Sequence, residues 1–379
     1  MPAPTSPPAE ASADRLRVSA LALAGASAVA AGRCAFNPLA IARRAIVRLA
    51  CPGTPAVRDA RGARHPAQSD GDGVLVGLPL GALESLALEP YPDPVAGCHW
   101  EVTPAVIDNG RTRIELDRAG RIARWCVDGA FAALAAPIGP ERDGADIAVV
   151  ERGPVRARVR VSRPDAWTDY ILHAHEDAVH VMASGEDDLV IALREAARLV
   201  AGGFGPGDAI SPAGGDHDGR SRHWCVVARA DGTPLAEVAS GGRIALGGGA
   251  SALTVRSAGA LALRLPSRRG PSPAVAAWSL AVGPAMAVDR PHAAPLRLID
   301  GDALVPWSAS RADDGGFALT LIESAGCAGR AVIYPTAGVR AAWRADPGGA
   351  SAGDLRLTAE GDGIELDHLA GETLLVRWR

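Results

Sequence analysis

Apolar and polar residues alternate through Val106, Ile107, Thr112, Ile114 and Leu116. Asp117, Arg118, Ala119 and Gly120 break the run, and Ile122 and Trp125 resume it. Alternation with a Gly-bearing break predicts a hairpin of two short strands over residues 106–129. The same texture fills most of the chain. Residues 34–95 read as a small β-sandwich: an extended entry, an Asn37-Pro38 turn, a strand at 44–49, a polar hairpin with Asp59 to Gly62 at its tip, and the strands "GVLVGLPL" and "LESLALEP". "YPDPVAG", at 91–97, is a linker by composition.

Residues 96–290 are again rich in strand patterns. Strands flank Gly153-Pro154, and Val155, Ala157, Val159 and Val161 share one face. "TDYILHAHEDAVHVMASG" reads as a hairpin turning at Glu176-Asp177. Residues 195–200 lean helical, and "GFGPGDAISPAGGDHDGR" is a Gly/Pro loop. Strands return at "HWCVVARADG", "GRIALGGG", "ALTVRS" and "ALALRLPS". After a boundary at "DRPHAAP", residues 291–379 give short strands separated by turns, the pattern of an antiparallel sandwich. No stretch shows the βαβ alternation of a doubly wound sheet or a barrel.

The first 33 residues are different. A Pro/Ala/Ser-rich start leads into "RLRVSALALAGASAVAAGR". Ala28-Val29-Ala30 resembles a signal-peptidase site, but the leader is long and carries Glu10 and Asp14. The competing reading is an Ala-rich helix packed on the β body. The apolar run from Val18 to Ala31 is too short to anchor in a membrane, and no other segment approaches spanning length. The expected location is cytoplasmic, with export as the alternative if residues 15–31 act as a signal peptide.

Composition narrows the function classes. A chain of 379 residues is long enough for two or three domains. Its 44 Gly and 29 Pro favour many short strands over long helices. The net charge is -4 without a basic block, which argues against a nucleic-acid partner. Every basic residue is Arg, so lysine nucleophiles and Schiff bases are excluded. Cys34, Cys51, Cys98, Cys126, Cys225 and Cys327 are widely spaced and form no C-x-x-C pair. Scattered thiols are expected rather than a zinc ribbon or a disulfide framework.

Two stretches offer chemistry. In "HAHEDAVH", His173 and His175 are two apart and would face one side of a strand, with His180 across the turn. Such imidazoles can hold Zn or Ni. No fourth ligand is evident at a fixed spacing, so the stretch is read as a solvent-facing strand edge and no metal site is expected. In "GGDHDGRSRHW", Asp216, His217, Asp218, Arg222, His223 and Trp224 follow a loop. Carboxylates and Arg bind sugar hydroxyls, and an aromatic face receives the ring, so these six are the expected carbohydrate contacts. Paired glycosidase carboxylates cannot be picked out, because Asp117, Asp143, Asp231, Asp313 and Asp314 sit in turn sequences. There is no G-x-S-x-G, Walker loop, H-E-x-x-H or Rossmann fingerprint, and no catalytic residue is assigned.

The order of several segments is similar to one known family. "FNPLAIARRAIVRL" resembles the entry into the β half of glycoside hydrolase family 38, the α-mannosidases. "VIDNGRTRIELDRAGRIARW" resembles that family's next hairpin, and "VVERGPVRARVRV" the strand pair after it. "ALTVRSAGALALRLPSRRGPSPAVAAWSLAVGP", "ALVPWSASRADDGGFALTLIESAGCAGRAVI" and the closing "LDHLAGETLLVRW" follow in the family's order. The resemblance runs over about residues 34–379. It implies an all-β fold: a galactose-mutarotase-like supersandwich at 96–290, flanked by two smaller β-sandwich domains at 34–95 and 291–379.

The departures bear on function. In that family the nucleophile and most zinc ligands belong to an N-terminal domain. Here the residues before "FNPL" hold no His and, in the first 33, one Asp, Asp14, so the family's zinc site has no ligands there and no cofactor is expected. The family's "DW" and "ERP" are replaced by "GEDD" and "AISPAGG". The resemblance therefore implies a carbohydrate-binding or accessory subunit in mannose or glycan metabolism, not catalytic alone. The expected partners are a glycan and a separate catalytic chain. The alternatives are the β subunit of a split α-mannosidase and a structural remnant.

Overall fold

The structure, a computed structural model, describes residues 33–39, 42–140, 145–184, 189–202, 208–210, 222–249, 252–257, 260–266, 273–282, 285–288, 296–300, 304–311, 316–323, 327–346 and 350–379. The regular structure in these residues is nearly all strand. One described helix, Pro273–Val282, spans ten residues, and its leading proline suits the first turn, where no amide donor is needed. No described helix is long and apolar enough to cross a membrane. All six cysteines are free.

The chain forms two compact units. One joins the described residues up to Val95 with those from Ala281 onward; the other is Ala96–Leu280. In the first, a seven-stranded sheet runs in the order Arg43–Leu49, Gly73–Leu80, Arg64–Asp70, Ala56–Asp59, Ser85–Tyr91, Cys34–Phe36 and Met286–Val288. A parallel bridge from Ala285 to Val47 brings its two ends together, curling the sheet into a barrel. Val47, Leu49, Val74, Val76, Leu78 and Leu88 fill it.

The remaining strands of this unit make a four-stranded and a five-stranded sheet. Leu319, Leu321, Ile333, Ile364, Leu374 and Val376 form the core they share. Strand Cys34–Phe36 alternates between the two cores: Ala35 packs in the barrel, while Cys34 and Phe36 pack with the terminal sheets. That alternation explains why segments 34–95 and 291–379 behave as one unit rather than as separate sandwiches.

The second unit is a sandwich of a five-stranded and an eleven-stranded sheet. Ile107, Ile114, Ile122 and Trp125 from the smaller sheet meet Val159, Val161, Tyr170, Leu172 and Val181 from the larger. The Tyr170 hydroxyl donates to the Gly120 carbonyl at 3.0 Å. Gly120 has φ of 74°, and a Cβ there would meet Val161 at 2.3 Å. Only glycine satisfies both conditions.

Three details differ from the sequence pattern. The run 106–129 contains a second turn, at Asn109-Gly110, and so gives Val106–Asp108, Thr112–Leu116 and Ile122–Val127. Residues 195–200 are not helical: Glu195 has φ of 62°, and Arg198–Gly202 pairs with Arg222–Ala228. The two apolar runs from residue 234 to 249 are one strand, Pro234–Gly249.

The hairpin tip at Asp59 shows how local chemistry fixes the barrel. Asp59 Oδ1 accepts from the Arg61 and Ala63 amides at 2.9 Å each. Its Oδ2 lies 2.9 Å from His65 Nε2. Burial opposes the charge, but His65 and the two amides overcome it and hold the carboxyl below its ordinary value. Asp59→Ala is expected to cost about 2–4 kcal/mol in urea denaturation, since hydrogen bonds to a charged group are worth ~1.5–3 kcal/mol each. Because the folded pKa is depressed, this stability is present above the unfolded pKa of about 3.9 and is lost as pH falls through the folded value. Asp59→Asn should therefore lose less stability than the wild type on acidification below about pH 4.

Candidate functional site

Strands Trp167–His173 and Ala178–Ala183 pair antiparallel, with His180 opposite Ile171. Side chains alternate across the sheet, so Ile171 and His173 share a face, and His180 stands diagonal to His173 on it. The two imidazole centroids are 4.7 Å apart. Glu176, in the turn, reaches back between them. Its Oε2 lies 2.7 Å from His173 Nδ1 and 3.0 Å from His180 Nε2.

This is not the solvent-facing edge that the sequence pattern implied. The Trp167–His173 strand has partners on both sides. The His173 and His180 side chains are only 20% and 12% exposed. His175 does not join them. It is exposed in the turn with φ of 62°, a conformation uncommon for a residue other than glycine.

The turn is held from the other sheet. Asn109, 2% exposed, donates through Nδ2 to the His173 carbonyl at 2.7 Å and the Glu176 carbonyl at 3.0 Å. Its Oδ1 accepts from the Arg111 and Thr112 amides at 2.9 and 2.6 Å. The Thr112 hydroxyl also donates to the Glu176 carbonyl, at 3.0 Å.

The three ionisable groups are unequal. Burial opposes the charge of Glu176, but His180 and His173 together hold its carboxyl well below the usual range. Burial lowers His173 by more than Glu176 raises it. Burial also opposes protonation of His180, yet the Glu176 charge and hydrogen bond win and raise it. Glu176 thus lies between two rings whose proton affinities are shifted in opposite directions, His173 down and His180 up.

Around this cluster the sheet face opposite the core carries paired charges. Arg156 pairs with Glu151 at 2.8 Å, and Arg264 with Glu237 at 3.1 Å. Asp177 lies 3.5 Å from Arg111 and 3.9 Å from Arg264. Asp169 is gripped by Arg160 at 2.7 Å and Arg158 at 3.4 Å, and Arg160 lies over the Trp167 ring at 4.3 Å. The strand Arg156–Ser162 makes this face simply by alternating Arg with Ala157, Val159 and Val161, which point into the core.

With this geometry stands one informative comparison. An α-mannosidase from Enterococcus faecalis V583 superposes with a TM-score of 0.59 over 91% of this chain, at 11% identity. In fold, the chain is similar to an α-mannosidase. It spans 56% of that protein's length. A family 81 glycoside hydrolase from Clostridium thermocellum aligns over 75% of this chain and 38% of its own, at 8% identity and a TM-score of 0.30. No family model matches the sequence, and no curated protein matches it. The likeness to the mannosidase shows the fold alone, an all-β sandwich architecture over the part of that protein it covers.

Of the expected sugar contacts, only His223 and Trp224 have described side chains. Asp216, His217 and Asp218 lie outside the described residues, as does the side chain of Arg222. His223 and Trp224 are 3% and 6% exposed, so neither ring offers an open face to a sugar. In the sequence the cluster at Glu176 shows as His173, His175 and His180 about a polar turn, imidazoles able to hold Zn or Ni but read there as a strand edge. Asn109 carried the signal of a turn residue, and nothing local pointed to partners 64 and 67 positions away.

Asn109→Ala removes two donated and two accepted hydrogen bonds, and leaves the Glu176 carbonyl to the Thr112 hydroxyl and the His173 carbonyl to the Glu176 amide. Urea denaturation is expected to show a loss of about 2–4 kcal/mol. Asn109→Asp should lose more than Ala at neutral pH, because it aims an anion at two carbonyls that now receive an N–H.

Proposed function

We propose that this chain is the carbohydrate-binding or accessory β part of an α-mannosidase-type system, serves mannose or other glycan metabolism, and is not catalytic alone. The observation that carries the reading is the fold match, which takes in 91% of this chain but 56% of the mannosidase. The family resemblance assigns nucleophile and zinc to a domain other than the β part that this chain matches. The polar sheet face adds support. Arg158 and Arg160, each 32% exposed beside Trp167 and held in place by the buried Asp169, offer guanidinium donors suited to sugar hydroxyls.

A second reading shares the same observation: the chain is the β subunit of a mannosidase divided between two chains, with a catalytic chain as its partner. The six free thiols fit the cytoplasm as the working compartment.

The test joins binding to turnover. An α-mannosyl oligosaccharide is titrated against the purified chain, and an aryl α-mannoside is assayed with added Zn²⁺ or Co²⁺. Binding without turnover is expected, and turnover abolished by chelation would sink the non-catalytic reading. Arg158→Ala leaves the Arg160–Asp169 pair in place and should weaken binding by about 1.5–3 kcal/mol, the worth of a charge-assisted hydrogen bond. Asp218→Asn and Arg222→Ala test the loop in the same way, each at an unchanged melting temperature. A loss confined to the loop variants moves the contact there.

A further inference from the structure

We propose that His173, Glu176 and His180 bind one divalent transition ion of the zinc class. One ring nitrogen each of His173 and His180 and a Glu176 carboxylate oxygen all lie within 4.8 Å of one another. A tetrahedral zinc site has metal–nitrogen and metal–oxygen distances of about 2.0–2.2 Å, which sets its ligands some 3.4 Å apart. The observed separations of 2.7 and 3.0 Å therefore need only a small opening of the cluster to admit the ion.

The donor set is two imidazoles and one carboxylate. That combination suits Zn²⁺, Co²⁺ or Ni²⁺, and it does not suit Ca²⁺ or Mg²⁺, which take oxygen ligands. Three protein ligands leave a fourth position. Glu176 is 37% exposed, so water reaches the cluster to fill it. Each ring nitrogen facing the ion must be free of its proton, and the ion then replaces the two N–H contacts to Glu176.

The surroundings are compatible with a cation. The neighbouring guanidiniums have carboxylate partners: Arg156 with Glu151, Arg264 with Glu237, and Arg111 with Asp128 and Asp177. The support is also rigid. Two ligands sit on paired strands, and Asn109 and Thr112 hold the carbonyl of the third. A site placed on strands and braced from behind keeps its geometry better than one on a free loop. The proposal does not depend on the carbohydrate reading.

The chain is stripped with chelator, dialysed, and titrated with Zn²⁺ by calorimetry, with Co²⁺ as the optical probe. Saturable binding of one ion per chain is expected, with a tetrahedral Co²⁺ absorption band and a raised melting temperature. His180→Gln and Glu176→Gln should abolish it, while His175→Ala, two residues from His173 but outside the cluster, should retain it. The wild type supplies a measurement that needs no variant. Zn²⁺ should protect His173 and His180, and not His175, from diethyl pyrocarbonate, read by peptide mapping. Absence of saturable Zn²⁺ binding by the wild type, binding that survives both ligand substitutions, or no protection of the two rings would overturn the proposal.

Discussion

The Asn109 carboxamide is the contact on which the second unit turns. It closes its own hairpin through Oδ1, and through Nδ2 it reaches the carbonyls of His173 and Glu176 on the opposing sheet. Facing sheets otherwise meet through non-directional apolar packing, which fixes distance better than register. A buried amide with four named partners fixes register as well. Nothing else of its size has both donor and acceptor at the right ends: Asp lacks the donor, and Leu lacks both. The turn that carries Glu176 is thereby set before any ligand is considered.

The same sheet shows how charges are kept beside a core. Asp169 is 1% exposed, a costly place for a lone carboxylate. Two guanidiniums, Arg160 by a near-parallel pair of hydrogen bonds and Arg158 from one side, compensate it. At Glu237 the balance is less complete. Burial, with Asp177 adding to it, raises that carboxyl more than Arg264 brings it down. With every basic residue an Arg, these pairs use a planar fork that matches a carboxylate, which a Lys ammonium does not.

Much of the fold was legible because strand alternation is a local signal. The run Val155 to Val161, the Asp59–Gly62 tip and the Asp117–Gly120 turn all occur where the pattern puts them. What was not legible depends on long-range pairing. Ala285 closes the barrel onto Val47, and no pattern near either residue announces it. Residues 195–200 have helix-forming composition, yet pairing with Arg222–Ala228 outweighs a propensity worth tenths of a kcal/mol per residue. The site was partly legible for the same reason. His173, Glu176 and His180 were adjacent in sequence, but their convergence depends on a turn with His175 at positive φ and on an asparagine in another sheet.

At 11% identity the likeness to the mannosidase is one of fold alone. Such likeness transmits architecture, while activity belongs to sites grafted onto it. The two candidate surfaces here illustrate the distinction. The paired-charge face follows directly from alternation along Arg156–Ser162, so any sequence of that pattern in this sheet would present it. The His–Glu–His cluster does not follow from alternation. It needs His at two diagonal positions, a carboxylate turned back over them, and a buried amide behind the turn. A solvated hairpin needs none of those choices for stability, and two imidazoles 4.7 Å apart would repel one another if both were protonated, which a negative charge between them offsets and a cation bound to their unprotonated nitrogens avoids. Glu176 supplies the first, and its position halfway between the rings is also where the ligands of a metal ion would stand.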